Sequence, residues 1–194
     1  MQFRRGPWTV KETNLRYKSE WVELNEHKVV RSDGHDCEFA VVRLKPGVSV
    51  LAIDDDRTVY LTREYRYAIE QESLEVVSGA IDNGETPEEA AKREVKEELG
   101  IVAGEFVDLG MVNPMTSQLH APARLFVARN LTFTEPQRDA GELIEMVKME
   151  LTEAVQLVMD SVVTHAPSCV LILKANQLSR PGNSPTVKEG RVFN

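Results

Sequence analysis

Glu94, Glu97 and Glu98 crowd into five consecutive positions of the stretch GAIDNGETPEEAAKREVKEELGI, residues 79–101. Like charges spaced for one helix face repel by about 0.2–0.5 kcal/mol per pair. Carboxylate oxygens are hard ligands, so the chemistry open to this cluster is to hold a divalent cation such as Mg²⁺. The competing reading is a solvated charged face laced with i,i+4 pairs, Glu88 with Lys92 among them. Spacing alone leaves both open.

The stretch must first be a helix. Thr86 suits the N-cap, Pro87 the first helical position, and Glu89 closes a T-x-x-E capping box. Gly100 suits the left-handed residue just past the end. Between them Ala91, Val95 and Leu99 recur every four residues, which predicts one apolar stripe facing a core. At about 100° per residue, Glu94 and Glu98 project within about 40° of each other and Glu97 about 60° to the other side. Lys92 and Lys96 fall on the far side, so the acids line the margin of the stripe.

Around this helix the apolar pattern predicts strands: one or two over 8–30, then 38–44, 48–54, 58–67 and 74–81. Three more follow at 106–112, 123–131 and 143–151. Ser32-Asp33-Gly34 and Pro46-Gly47 read as turns. Residues 152–160 and 168–178 read as helices broken near Pro167, and 179–194 as a polar, mobile tail. Strands leading into a helix, more strands and late helices indicate a mixed α/β layer fold.

A chain of 194 residues with 42% hydrophobic content suits one globular domain with a full core. The net charge of −8 argues against nucleic acid or an anionic membrane surface as partner. Cys37 and Cys169 are isolated and read as free thiols. No apolar run reaches the length of a membrane span, and MQFRRGPW lacks the apolar segment of a signal peptide. A reducing cytoplasm is the expected compartment.

Spacing around the acids narrows the choice. From Gly79 five residues lead to Glu85, seven more to Arg93, and then Glu94, Val95, Lys96, Glu97, Glu98, Leu99, Gly100 and Ile101 follow. This resembles the Nudix box, the signature of hydrolases acting on nucleoside diphosphates linked to another moiety. The resemblance implies an α/β/α sandwich with a mixed sheet. It divides the chain into dimer-forming N-terminal strands over 1–45, a hydrolase domain over 46–178 and the tail. It also implies Mg²⁺, or Mn²⁺, held by Glu94 and Glu98, with Glu97 in the same cluster and the Ser78 carbonyl completing the site. A metal there removes the objection that an acidic protein repels phosphate. Arg93 and Glu85 are expected to pair and brace the loop before the helix, with Gly79 and Gly84 serving turn geometry.

The flank REYRYAIEQESLEVVSGAID is similar to that of the ADP-ribose pyrophosphatase group, which implies that Arg66 contacts the substrate diphosphate and that Glu75 matches the acid before the box. Trp21 and Phe39 match positions where relatives stack adenine between rings of two subunits, implying a homodimer; core packing is the other reading of both. RDAGELIEMVKMEL resembles the group's acidic loop and makes Glu142 the expected general base, with Glu145 in reserve and Glu97 next. The loop Asn113-Pro114-Met115 departs from the pattern, and SQLHAPARLFVA lacks the usual glutamate, leaving Gln118 or His120 to stand in. Base and sugar therefore stay open. The expected activity is metal-dependent hydrolysis of ADP-ribose or a related nucleoside diphosphate sugar to a nucleoside monophosphate and a sugar phosphate. The alternatives are another diphosphate substrate, such as GDP-mannose or a dinucleotide, and a non-catalytic Nudix-fold binding module. The second would show lost box carboxylates or an added basic, DNA-binding element, and neither is present in the sequence.

Overall fold

The computed structural model describes residues 2–138, 141 and 143–179. Glu142 and all of the tail except Ser179 lie outside the described residues. The chain begins with β1 (Phe3–Arg5), β2 (Trp8–Lys18), β3 (Val22–Val30) and β4 (Asp36–Leu44). Next come β5 (Gly47–Ile53), β6 (Thr58–Arg66), β7 (Gln71–Glu75), β8 (Val77–Ala80) and α1 (Pro87–Leu99). It continues through β9 (Ile101–Val112), β10 (Leu119–His120), β11 (Ala123–Phe133), β12 (Glu145–Glu150), α2 (Leu151–Met159) and α3 (Ala166–Leu178).

Two structural units result. One comprises the chain up to Pro46 together with Asn113–Pro122; the other comprises Gly47–Val112 and the chain from Ala123 on. In the first, β1 to β4 form an antiparallel meander, and β10 adds in parallel to β4 with Leu119 opposite Val42. The 8–30 segment makes two strands because Ser19 turns the chain: its N–H donates to the Val22 carbonyl at 2.8 Å and its Oγ accepts from Val22 N at 3.1 Å. β1 and β10, at three and two residues, are too short to show alternation in sequence.

The second unit is built on a mixed sheet in the order β12-β6-β5-β11-β9, with β7 paired to β6 and β8 to β5. Successive side chains of a strand point to opposite faces. Val48, Val50 and Ala52 of β5, with Phe126 and Ala128 of β11, therefore meet Ala90, Ala91, Val95 and Leu99 of α1. Their neighbours Leu51, Ile53, Leu125 and Val127 meet Leu151, Ala154, Leu171, Ile172 and Ala175 of α2 and α3 on the other face. Helices cover both sides, which makes this unit an α/β/α sandwich. Burial on both faces is also why β5 reads as a nearly continuous apolar run.

Each terminus of α1 forms as its residues dictate. Thr86 Oγ1 accepts from Glu89 N at 3.2 Å, Glu89 Oε2 accepts from Thr86 N at 2.8 Å, and Gly100 is left-handed at φ 64°. The break between α2 and α3 falls at 160–165 rather than at Pro167. Pro167 sits in the first turn of α3, where a missing N–H costs no helical bond. No described helix is long and apolar enough to cross a membrane.

Candidate active site

The cap fixes where α1 begins, and the apolar stripe fixes which way it rolls on the sheet. Glu94 and Glu98 are carried to the edge of that contact, and Glu98 is only 8% exposed. Glu94 lies directly against β8: a Cβ placed on Gly79 would come within 2.0 Å of the Glu94 Cδ. Gly79 therefore serves close approach within a strand, not a turn, whereas Gly84, at φ +87°, is a turn glycine as expected. Burial pushes the Glu94 carboxyl above its ordinary range, with Arg93 pulling against it.

Arg93 is the hub. Its Nε and Nη2 donate to Glu85 Oε1 and Oε2 at 2.9 and 3.0 Å, and Nη2 also donates to the Ala80 carbonyl at 2.9 Å. Glu85 in turn accepts from Asp82 N at 3.0 Å, so the brace between loop and helix forms as expected. The same guanidinium donates from Nη1 to Glu94 at 2.7 Å and Glu97 at 3.1 Å, which the sequence reading did not anticipate. These bonds, Glu85's foremost, hold Arg93 charged well above its ordinary range. They also answer the repulsion among the crowded acids.

Among the described residues no three His, Cys, Asp or Glu side chains converge into a ready-made metal cage. The donor chemistry nonetheless fits a hard divalent cation. Three carboxylates share one helix margin, and Glu94 rests on the glycine that follows Ser78. The Ser78 hydroxyl is engaged with Ser49 Oγ at 2.9 Å and the Val76 carbonyl at 3.2 Å.

Arg66, at the end of β6, lies in the same unit. Its Nε and Nη2 fork onto Glu75 Oε1 and Oε2 at 3.1 and 2.7 Å, and Nη2 meets Glu64 Oε1 at 2.6 Å. Burial works against both charges, but the hydrogen bonds between them prevail, raising Arg66 and lowering Glu75 from their usual values. His165 Nδ1 stands 3.3 Å from Glu75 Oε2, and no spacing in the sequence signals this contact, since 90 residues separate the two.

Trp21 and Phe39 both belong to the N-terminal unit, at different places. Phe39 packs on Trp8 with ring centroids 5.5 Å apart, and both line a cavity of about 470 Å³ together with His27, Gln118 and His120. Trp21 is 56% exposed at the start of β3, with Lys45 Nζ 4.2 Å above its ring. Glu145 lies on β12, paired with Arg63 at 3.1 Å on an exposed surface. The segment before Glu142 is anchored on the end of α1: Gln137 N donates to the Glu97 carbonyl and Arg138 Nε to the Glu98 carbonyl, each at 2.9 Å.

The site is thus an acidic helix margin in an α/β/α unit, clamped to β8 by the Arg93–Glu85 brace. The NUDIX domain family matches residues 43–165, and the chain belongs to the Nudix family of hydrolases. It is 26% identical to the ADP-ribose pyrophosphatase of Bacillus subtilis (strain 168) over 139 residues, 71% of this chain and 75% of that protein. It is 31% identical to the ADP compounds hydrolase NudE of Escherichia coli (strain K12) over 152 residues, 71% of this chain and 81% of that protein. A crystal structure of an ADP compounds hydrolase matches with a TM-score of 0.78 at 24% identity, covering 94% of this chain and all of the other, a likeness of fold.

Proposed function

We propose that this enzyme hydrolyses the diphosphate of ADP-ribose, or of a related nucleoside diphosphate sugar, to a nucleoside monophosphate and a sugar phosphate. The observation that carries this is the Glu94–Glu97–Glu98 margin of α1 laid against the Ser78–Gly79 backbone and braced by Arg93. Glu94, Glu98, Glu97 and the Ser78 carbonyl are the groups that would hold Mg²⁺. That ion supplies charge neutralisation at the diphosphate and a more acidic water. Arg93 holds two of the carboxylates in place, and Arg66 presents a partly exposed guanidinium to the diphosphate. Glu142 is the proposed general base, taking a proton from water as the water oxygen bonds to one phosphorus and the bridging P–O bond breaks. The anchoring of Arg138 on Glu98, four positions before Glu142, supports this choice. Glu97, 39% exposed and bonded to Arg93, is the next candidate.

Phe39 with Trp8 on one side, and Trp21 just before β3, are the aromatic surfaces offered for a base. Exposed Phe3, Leu15, Tyr17 and Trp21 on the N-terminal sheet support pairing of two copies through that unit. Two free thiols suit a reducing cytoplasm. A substrate panel in ¹⁸O-labelled water tests the reading. ADP-ribose should give AMP and ribose 5-phosphate with label in one of them, whereas inorganic phosphate or free ribose from intact substrate refutes it. The Asn113-Pro114-Met115 loop favours keeping GDP-mannose and a dinucleotide in the panel as the second reading.

A further inference from the structure

Glu75 is a buried carboxylate, 4% exposed, and the fork of Arg66 does not account for all its surroundings. Behind it stands the first turn of α3. His165 is the N-cap residue of that helix, and its Nδ1 lies 3.3 Å from Glu75 Oε2 and 2.8 Å from Ser168 Oγ. Ser168 is fully buried, and its Oγ accepts from the N–H of Val76, the residue after Glu75, at 3.0 Å. One hydroxyl and one imidazole thus tie the start of α3 both to the Glu75 side chain and to the backbone that carries it. A carboxylate has no proton to give, so the contact with Glu75 is favourable when His165 carries its proton on Nδ1. Arg66, which meets the same Glu75 Oε2 at 2.7 Å, is shared by Glu75 and Glu64.

We propose that His165 and Ser168 are positioning residues: they hold the Glu75 carboxylate and, through it, the direction in which Arg66 presents its guanidinium to the substrate diphosphate. This rests on the reading of Arg66 as a diphosphate contact. A bidentate arginine follows the plane of its carboxylate partner, so a Glu75 free to rotate lets the guanidinium swing away from phosphate. Glu64, which meets Nη2 of Arg66 at 2.6 Å, shares the guanidinium but does not supply the fork that sets this plane.

The test is a double-mutant cycle in steady-state kinetics on ADP-ribose, or on the fastest substrate of the panel. His165→Phe, which removes both the 2.8 Å bond to Ser168 and the 3.3 Å contact with Glu75, should raise KM about tenfold with a much smaller change in kcat. His165→Asn, which returns a donor near the Nδ1 position, should recover most of the loss. Ser168→Ala should act in the same direction and serves the cycle if His165→Phe does not fold. In an Arg66→Ala background these changes should have no further effect on KM. Full additivity with Arg66→Ala, or failure of His165→Asn to rescue a folded His165→Phe defect, overturns the positioning role. An Arg66→Ala variant with unchanged KM instead sinks the reading of Arg66, a separate and distinguishable result.

Discussion

Adding one methyl group at Gly79 is the sharpest test of the proposed metal face. A Cβ there would stand 2.0 Å from both Cδ and Oε1 of Glu94 and 2.4 Å from Oε2. Carbon atoms pack at about 3.5–4.0 Å, so the carboxylate must recede by about 1.5–2 Å. What it strikes is the far end of a flexible side chain, and Gly79 lies in β8 with no positive φ, so the backbone has no reason to move. A Mg²⁺ ligand sits at about 2.0–2.1 Å with a tolerance of about 0.2 Å, so the displaced carboxylate no longer ligates. Taking the lost affinity as about 100-fold, a Mg²⁺ concentration 100 times the parent Kd stabilises the parent by about 2.7 kcal/mol and Gly79→Ala by about 0.4. For a chain of this size the difference is about 5–9 °C in the Mg²⁺-dependent rise of Tm. Thermal melts with and without Mg²⁺ measure it, with Glu94→Gln as the matching control and the apo Tm as the check on folding. If Gly79→Ala gains as many degrees from Mg²⁺ as the parent does, Glu94 is not a ligand where it stands.

Glu98→Gln should likewise abolish most of the Mg²⁺-dependent rise in Tm while leaving the apo fold intact; an unchanged rise means that this helix face is only solvated. Glu142→Gln should lower kcat by ~10²–10⁴ with little change in Mg²⁺ binding, and a drop of less than a few-fold removes it as base and brings Glu145→Gln forward. Burial depresses the His165 pKa despite Glu75 beside it, so the unfolded chain takes up a proton below about 6.5 before the folded one does and stability should fall as pH drops through that value. Urea denaturation should show His165→Asn flattening that loss, with His27, also depressed by burial, supplying a remainder; an unflattened curve refutes the assignment. Glu75 adds a further loss at lower pH, because its folded pKa lies below the usual 4.5, and its contribution disappears as pH falls through the folded value. Light scattering should give about twice the 21.8 kDa chain mass, and a fully active monomer excludes a cross-subunit role for Trp21 and Phe39.

Much of this protein was legible in the order of its residues. Thr86, Pro87, Glu89 and Gly100 delimit α1 by local chemistry, and the four-residue recurrence of Ala91, Val95 and Leu99 orients it. The spacing of the box acids carried the family, and Arg93 with Glu85 its brace, because all these contacts lie within a few turns of chain. Apolar alternation likewise placed the long strands, whereas β1 and β10 exist only because neighbouring strands hold them.

What the tertiary structure alone decided is what touches what across distance. Gly79 looked like a turn glycine until β8 placed it under Glu94, 15 positions later in the chain. Glu75 could be matched to a motif, but its partners His165 and Ser168 arrive from a helix whose N-cap lies 90 residues on. Phe39 met Trp8 because β2 and β4 flank the same strand, while Trp21 was left just before β3 beside Lys45. Local propensity is written in neighbouring residues, so caps and stripes can be read from sequence. Contacts between distant segments depend on how the sheet stacks them, and no spacing along the chain encodes that stacking by itself.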